Sequence, residues 1–247
     1  MPYPRTLAVT FTALAFVGCL PRAVAAESAD PDAVLRRLEP QLRRAWQQDP
    51  FTAQRPFPML RLVSGTDVSP CSGPYAAAAP LVQVCAGGRE LQLNRQQLAA
   101  LEGLSDEAGV AFALAYGLGL SLVPPQPPGA PGPQATAGLQ AACKAGSLLG
   151  RLQQAPNQGW ISGALNAASQ AYGSADAAQL GTGPQRAYAL ASGLGASRLP
   201  CSGSAMARLA SRALDAEAAD WLRTRGTSVG FDILCRKPPE CPRRLGL

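Results

Sequence analysis

The chain of 247 residues contains no histidine, the side chain that most often serves proteins as a catalytic base or a zinc ligand. Aromatic residues make up only 6% of the sequence and charged residues only 15%. The low charged fraction and the recurring apolar residues exclude a disordered chain, and no interleaving of aromatic and basic residues predicts nucleic-acid binding. The chain is rich instead in alanine, with 25 glycines and 23 prolines, a composition typical of a helical domain with small-residue packing and long ordered loops.

The first 25 residues have the pattern of a secretory signal peptide. Arg5 supplies a positive charge, the apolar stretch LAVTFTALAFVG follows it, and the small-residue sequence AVA predicts cleavage after Ala25 or Ala26. An alternative is a weak lipoprotein signal, FVGC, which ends at Cys19. Both interpretations place the mature protein in the periplasm or outside the cell, and both limit membrane attachment to the leader or to a lipid on Cys19.

Seven cysteines become six once the leader with Cys19 is removed, and an even number in an exported chain predicts disulfides. Spacing favours Cys71–Cys85, which closes a loop of about fifteen residues. In the loop-entropy model such a bond stabilises the folded protein by roughly 3 kcal/mol. Spacing also favours Cys235–Cys241, and elimination leaves Cys143 and Cys201, whose pairing the spacing does not establish. Because none of these cysteines has CxxC spacing, we expect no metal and no cofactor.

Basic residues fall in two groups along the chain. Removal of Arg5 and Arg22 with the leader lowers the formal net charge from +6 to +4, a modest excess. The group in the first predicted helix indicates a solvated face, and the group in the tail would touch anionic lipid or polymer only weakly. The first group contains Arg36, Arg37, Arg43 and Arg44, and the second contains Arg236, Lys237, Arg243 and Arg244.

Periodicity predicts one helix, then a small sheet, then further helices. Asp30 before Pro31 is a helix start, and apolar residues then recur at helical spacing as far as Trp46. Alternating residues predict strands over 59–65, 81–85 and 90–94, the last two joined as a hairpin. The later helices are predicted over 95–101, 108–123, 134–154, 161–172, 184–194 and 204–223. These elements predict a mostly helical α+β fold with one three- or four-stranded sheet.

The predicted helix over residues 108–123 is apolar on all sides, which indicates a central buried helix. Ser105, followed by two acidic residues, is its predicted N-cap. At about 1.5 Å per residue the helix spans roughly 24 Å, short of the roughly 30 Å of a bilayer core. Gly117 and Gly119 each cost a helix roughly 1 kcal/mol relative to alanine, so we expect the close approach of another backbone.

Short motifs in sequential order resemble the bacterial neutral zinc metallopeptidase family. PMLRLVSGTDVSPCSG and VQVCAGGRELQLN match a strand, two cysteines and a hairpin, and GVAFALAYGLGLSLV matches the zinc-binding helix. GLQAACKAG, ALNAASQAYGSAD and LGTGPQR match the segments that follow. The resemblance runs from the first helix to about Ala196 and implies a zincin-like domain over residues 30–197. Residues 198–247, predicted as a C-terminal helix and a disulfide-pinned basic tail, lie outside it.

The residues that carry chemistry in that family are replaced in this chain. The family helix presents two histidines to one zinc with a glutamate between them as general base, and the later segments supply a glutamate ligand, an aspartate and another histidine. The corresponding positions here are Tyr116, Gly117, Leu120, Gly138, Ala142 and Leu180. The resemblance therefore implies an inactive relative without zinc, in which apolar residues avoid the several kcal/mol that buried charges without a metal would cost.

Three functions follow from these patterns. The first is an inactive relative of the peptidase that binds an extended peptide or protein between the hairpin and helix 108–123, with strand 91–94 as the pairing edge. The second is a serine-type hydrolase with Ser121, Ser147 or Tyr116 as nucleophile and a buried, neutral Lys144 as base. The third is a purely structural envelope protein. An open cleft would favour the first function, and a filled cleft would favour the third; the sequence does not indicate an oligomeric state.

Overall fold

The computed structural model of the chain describes residues 30–64, 81–123, 133–152, 158–170, 177–218 and 220. In this part of the chain the helices are α1 (Pro31–Gln48), α2 (Arg95–Leu122), α3 (Ala135–Leu149), α4 (Gln158–Gln170), α5 (Ala177–Leu180), α6 (Gly183–Gly193) and α7 (Gly203–Ala210), and the strands are β1 (Met59–Val63), β2 (Val82–Cys85) and β3 (Glu90–Asn94). The mostly helical α+β class predicted from the sequence is confirmed, with three strands in the described sheet. Its zincin-like form stays a prediction.

Helix α1 begins at Pro31 as predicted, and the Asp30 carboxylate caps it by accepting from the backbone N–H of Asp32 at 3.2 Å. The helix buries one apolar face that ends in Trp46, while its arginines are exposed. One of them, Arg37, forms an ion pair at 2.8 Å with Glu107 of α2. The predicted solvated basic face is therefore present, and it also ties α1 to α2.

The three strands form a mixed sheet in the order β1-β3-β2. Strands β2 and β3 pair antiparallel from Val82↔Leu93 to Cys85↔Glu90, so the predicted hairpin is confirmed, and β1 pairs with β3 in parallel. Because β3 is bonded on both sides, residues 91–94 cannot act as the pairing edge for a peptide. That part of the sequence-based prediction is wrong, since a hairpin pattern does not reveal which of its strands lies at the edge.

Helix α2 is broken at Ser105 and Asp106, where φ changes to −146° and then to +50°. The break separates the two helical segments predicted from the sequence. Asparagine and aspartate adopt positive φ more readily than other residues with a Cβ atom, which suits Asp106 to this position. The hydroxyl of Ser105 accepts a hydrogen bond from the Asn166 side-chain amide of α4 at 3.3 Å, so it joins two helices in addition to marking the break.

The second segment of α2 is the centre of the molecule, as predicted. Every residue from 108 to 120 is buried, and α2 contacts the sheet on one side and α3 and α4 on the other. Among the described helices, none combines the length and the apolar composition that a membrane crossing requires.

A disulfide joins Cys143 of α3 to Cys201, which lies just before α7. This pairing confirms the one reached by elimination. Cys85 is also disulfide-bonded, but Cys71, Cys235 and Cys241 lie outside the described residues, as do the leader with Cys19 and the basic tail. The pairs predicted for those cysteines stay predictions.

Helix α7, which follows Cys201, shares the same core as the rest of the protein. Met206 and Leu209 of α7 are fully buried in it. The amide of Gln185 in α6 donates to the carbonyl of Leu209 at 2.7 Å, and the hydroxyl of Tyr188 donates to Glu217 at 2.7 Å. The long helix predicted over 204–223 is interrupted, because Arg212 has a φ of +64°.

Candidate functional site

The six positions that the peptidase resemblance assigns to zinc chemistry all lie in the protein interior. Tyr116 and Ala142 are fully buried, and Leu120 and Leu180 are 3% and 8% exposed. Gly117 and Gly138 are buried as well. A substrate could reach none of these side chains without displacing core residues.

Gly117, at the position of the family's general base, lies directly beneath the sheet. A Cβ atom on this residue would come 2.6 Å from Cγ1 of Val82 in β2 and 3.2 Å from Cδ1 of Leu91 in β3. The volume that a glutamate side chain would need at this position is therefore filled by two strand residues. The sheet rests on α2 at this point, and no gap separates them.

Two further positions that the resemblance assigns to the site, Gly138 and Leu180, are closed by contacts between backbones. A Cβ atom on Gly138 of α3 would lie 2.7 Å from Cα of Leu180, at the end of α5. These two positions, to which the resemblance assigns a glutamate and a histidine, are therefore adjacent. They touch through main-chain atoms, however, so side chains with ligand atoms do not fit between them without a shift of the helices.

Tyr116 occupies the position of the family's first zinc-binding histidine. Its ring stacks on Phe112, one helical turn earlier, with centroids 5.5 Å apart and planes inclined by 28°. Both rings are fully buried. The packing indicates a core side chain, and its complete burial disfavours the predicted alternative role of Tyr116 as a nucleophile.

In the described part of the chain, neither candidate serine nucleophile pairs with the candidate base Lys144. The hydroxyl of Ser121 donates to the carbonyl of Leu118 at 2.7 Å, within its own helix. The hydroxyl of Ser147 faces the carbonyls of Cys143 and Gly193 at 3.4 and 3.5 Å. The ammonium of Lys144 lies 5.7 Å above the ring of Phe51. The two serines and Lys144 thus contact separate partners. Nucleophilic catalysis requires instead that the base lie within hydrogen-bond distance of the serine hydroxyl.

The described residues include no group of three or more cysteine, aspartate or glutamate side chains placed to hold a metal ion. The buried polar groups are instead scattered. Gln83 and Gln92 face each other across β2 and β3, and each has a buried side-chain carbonyl oxygen without a hydrogen-bond partner among the described residues. Glu102 has one such carboxylate oxygen near the break in α2. Burial raises the pKa of Glu102, against a smaller opposing effect of Arg37.

Arg186 of α6 is a buried charged residue whose position sequence reasoning did not identify. It is 1% exposed, and its guanidinium donates to the carbonyls of Ala168, Ser169 and Gly181. The first two carbonyls belong to the last turn of α4, where the helix dipole favours a positive charge. The sequence signal for this residue is the arginine that ends LGTGPQR, but the resemblance of that motif assigns a role only to its histidine position.

A second feature that the sequence did not predict is the turn that follows α1, residues 49–55, which we call the Phe51 turn. Phe51 is 79% exposed, whereas Thr52 beside it is 1% exposed and donates from its hydroxyl to the carbonyl of Trp46. The indole N–H of Trp46 in turn donates to the carbonyl of Arg55 at 2.9 Å. The turn is therefore anchored in the core on both sides of an outward-facing phenylalanine.

Comparisons of the chain with protein-family models, with curated proteins and with solved structures find no match. The resemblance to the zinc metallopeptidase family accordingly rests on the short motifs alone.

Proposed function

We propose that the protein is an exported, non-catalytic, disulfide-linked protein with a structural role. One observation carries this proposal: the position of the general base, Gly117, is covered by Val82 and Leu91 of the sheet. Together with the buried positions Tyr116, Leu120, Ala142 and Leu180, this contact supports a filled cleft over an open one. A filled cleft favours a structural function because it leaves no site for a substrate beside α2.

The contacts of the alternative nucleophiles support the same proposal. Ser147 is directed toward backbone carbonyls of α3 and α6, and Lys144 is directed toward Phe51. A serine mechanism would require both side chains to change rotamer and then to meet beside an oxyanion site. The disulfide between Cys143 and Cys201 suits an exported protein, since such bonds persist in oxidising compartments.

Metal analysis and a protease assay of the purified protein test the absence of catalysis. We expect far less than one zinc per chain after dialysis against zinc, and no cleavage of casein with or without a chelator. Stoichiometric zinc together with chelator-sensitive cleavage would contradict the proposal. Chelator-insensitive cleavage that Ser147→Ala abolishes would support the serine hydrolase instead.

Peptide binding is a second candidate function, and strand β1 favours it. In the described part of the sheet β1 pairs with β3 on one side only, and its residues Met59 and Arg61 are exposed. Because the N–H of Met59 bonds toward β3, the N–H groups of Leu60 and Leu62 point to the other side of the strand. An extended peptide could pair there by backbone hydrogen bonds.

A proline substitution tests this candidate without breaking the sheet. Leu60→Pro removes an N–H that does not serve the β1–β3 ladder, and proline is tolerated on edge strands. Leu60→Ala is the matched control, because it shortens the same side chain and keeps the N–H. If a peptide array detects ligands of the protein, we expect Leu60→Pro to lose them and Leu60→Ala to keep them. Equal binding by both variants would place the ligand elsewhere.

A further inference from the structure

The Phe51 turn displays an apolar side chain that the fold holds away from the core. The backbone N–H of Phe51 donates to Oδ1 of Asp49 at 2.9 Å, and Thr52 is fixed beneath the turn by its bond to Trp46. Asp49 itself is 7% exposed. Because Asp49 before the exposed Pro50–Phe51 pair and Thr52 after it are both buried and hydrogen-bonded, the local structure imposes the 79% exposure of the Phe51 ring.

Cationic side chains surround this turn. Lys144 of α3 lies 5.7 Å from the centroid of Phe51, and Arg151 approaches Oδ2 of Asp49 at 3.5 Å. Arg43 of α1 covers the ring of Phe57, two residues beyond the turn in the chain, at 4.4 Å. With the exposed Arg55 these make four cations, against the two carboxylates Glu39 and Asp49 that pair with Arg43 and Arg151. The surface around the apolar apex is therefore positively charged.

We propose that the Phe51 turn docks on an anionic lipid surface, with the Phe51 ring entering the head-group boundary and the cations facing the lipid phosphates. Phenylalanine on an amphipathic surface element favours that boundary, and each nearby lysine or arginine adds attraction to anionic lipids. An acidic polymer would use the cations but would have no need of the exposed ring. A protein partner would require several neighbouring apolar side chains, and among the described residues the other large exposed ones are Met59 and Leu104. This inference is independent of the proposed structural function.

Vesicle sedimentation tests the docking surface. The protein as purified is mixed with phosphatidylcholine vesicles that either contain or lack phosphatidylglycerol, and the partition coefficient is measured at low and at high salt. We expect binding to the anionic vesicles that salt weakens. Phe51→Ala should lower the partition coefficient roughly tenfold, the effect of burying one aromatic side chain. Lys144→Gln combined with Arg55→Gln should lower it by a similar factor, roughly tenfold.

Leu104→Ala is the matched control. Leu104 is 60% exposed, but it lies at the break in α2, far along the chain from the Phe51 turn. Its replacement should leave the partition coefficient unchanged. All variants share the same termini, so their differences report on the turn, and a circular-dichroism melt shows that each is folded. Equal sedimentation with both vesicle types, no sedimentation, or no effect of Phe51→Ala would overturn the proposal. Equally tight, Phe51-independent binding to polyphosphate would identify an acidic polymer as the ligand and would also overturn it.

Discussion

Gly119 of α2 lies directly against Ala141 of α3: a Cβ atom on Gly119 would overlap the carbonyl oxygen of Ala141 and lie 3.0 Å from its carbonyl carbon. The two helices thus meet main chain to main chain at the centre of the protein. This contact explains why a glycine persists in an apolar helix despite its conformational cost. It also shows that α2 is packed as core on the side facing α3.

Gly119→Ala should destabilise the protein by about 3 kcal/mol, because neither backbone can move away without disturbing the surrounding core. Gly103→Ala in the same helix is the control. A Cβ atom at Gly103 meets nothing within 4 Å. This substitution should therefore stabilise the protein by about 0.5–1 kcal/mol, because alanine loses less conformational entropy in a helix than glycine. Urea unfolding followed by circular dichroism measures both values. Equal stabilities of the two variants would contradict the close contact.

Gly117→Ala should lower the free energy of unfolding by about 1–3 kcal/mol, because the added Cβ atom overlaps the side chain of Val82. The partner here is a side chain, so shortening it should relieve the strain. In a Val82→Ala background we therefore expect the additional cost of Gly117→Ala to fall below about 0.5 kcal/mol. A double-mutant cycle from urea unfolding tests this coupling. Additive effects would mean that the sheet does not rest on α2 at this residue.

Arg186→Met should lower the free energy of unfolding by about 3–5 kcal/mol, because it leaves the carbonyls of Ala168, Ser169 and Gly181 buried without their donor. Arg186→Lys should recover only part of that loss, since an ammonium cannot reproduce the planar guanidinium fork. Arg198→Met is the surface control and should change stability by less than about 0.5 kcal/mol. Full stability of Arg186→Lys would show that charge alone, and not the shape of the group, matters there.

The stability of the protein should depend on the ionisation of Glu102. Burial raises the pKa of this carboxyl above its ordinary value, Arg37 lowers it less, and Glu107, Asp106 and Asp30 raise it further. Because its folded pKa lies above its unfolded pKa, its contribution to stability is greatest below the ordinary carboxyl range and is lost as the pH rises through the raised value.

Glu102→Gln should therefore remove a decrease in the free energy of unfolding that the unsubstituted protein shows as the pH rises above the ordinary carboxyl range. Urea midpoints across this pH range measure the effect. Glu39→Gln, which alters the exposed ion pair with Arg43, should keep the decrease. A decrease of the same size in the Glu102→Gln variant would assign it to other groups.

The disulfide between Cys143 and Cys201 spans 58 residues, which corresponds to about 4 kcal/mol in the loop-entropy model. Replacing both cysteines with alanine should lower the free energy of unfolding by about that amount, while other disulfides stay intact. The comparison requires the double variant, because a single replacement leaves a free thiol. A loss below about 1 kcal/mol would indicate that the buried contacts of α7 already hold this segment in place.

Local patterns in the sequence predicted much of the fold. The start of α1 at Pro31, the hairpin of β2 and β3, and the break at Ser105 each depend on a few neighbouring residues, whose backbone preferences act without distant partners. The burial of helix 108–123 also followed from composition. The position of β3 at the centre of the sheet did not, because it depends on pairing with β1, about thirty residues earlier in the chain.

The sequence by itself determined that side chains able to bind zinc or to act as a histidine base are absent from the family positions, since that statement requires only residue identities. Tertiary structure alone decided what surrounds those positions. Val82 and Leu91 come from separate strands, and the backbones of Ala141 and Leu180 come from separate helices, yet all of them fill the space around Gly117, Gly119 and Gly138. Packing of this kind depends on distances between residues remote in sequence, as does the placement of Lys144 over the ring of Phe51.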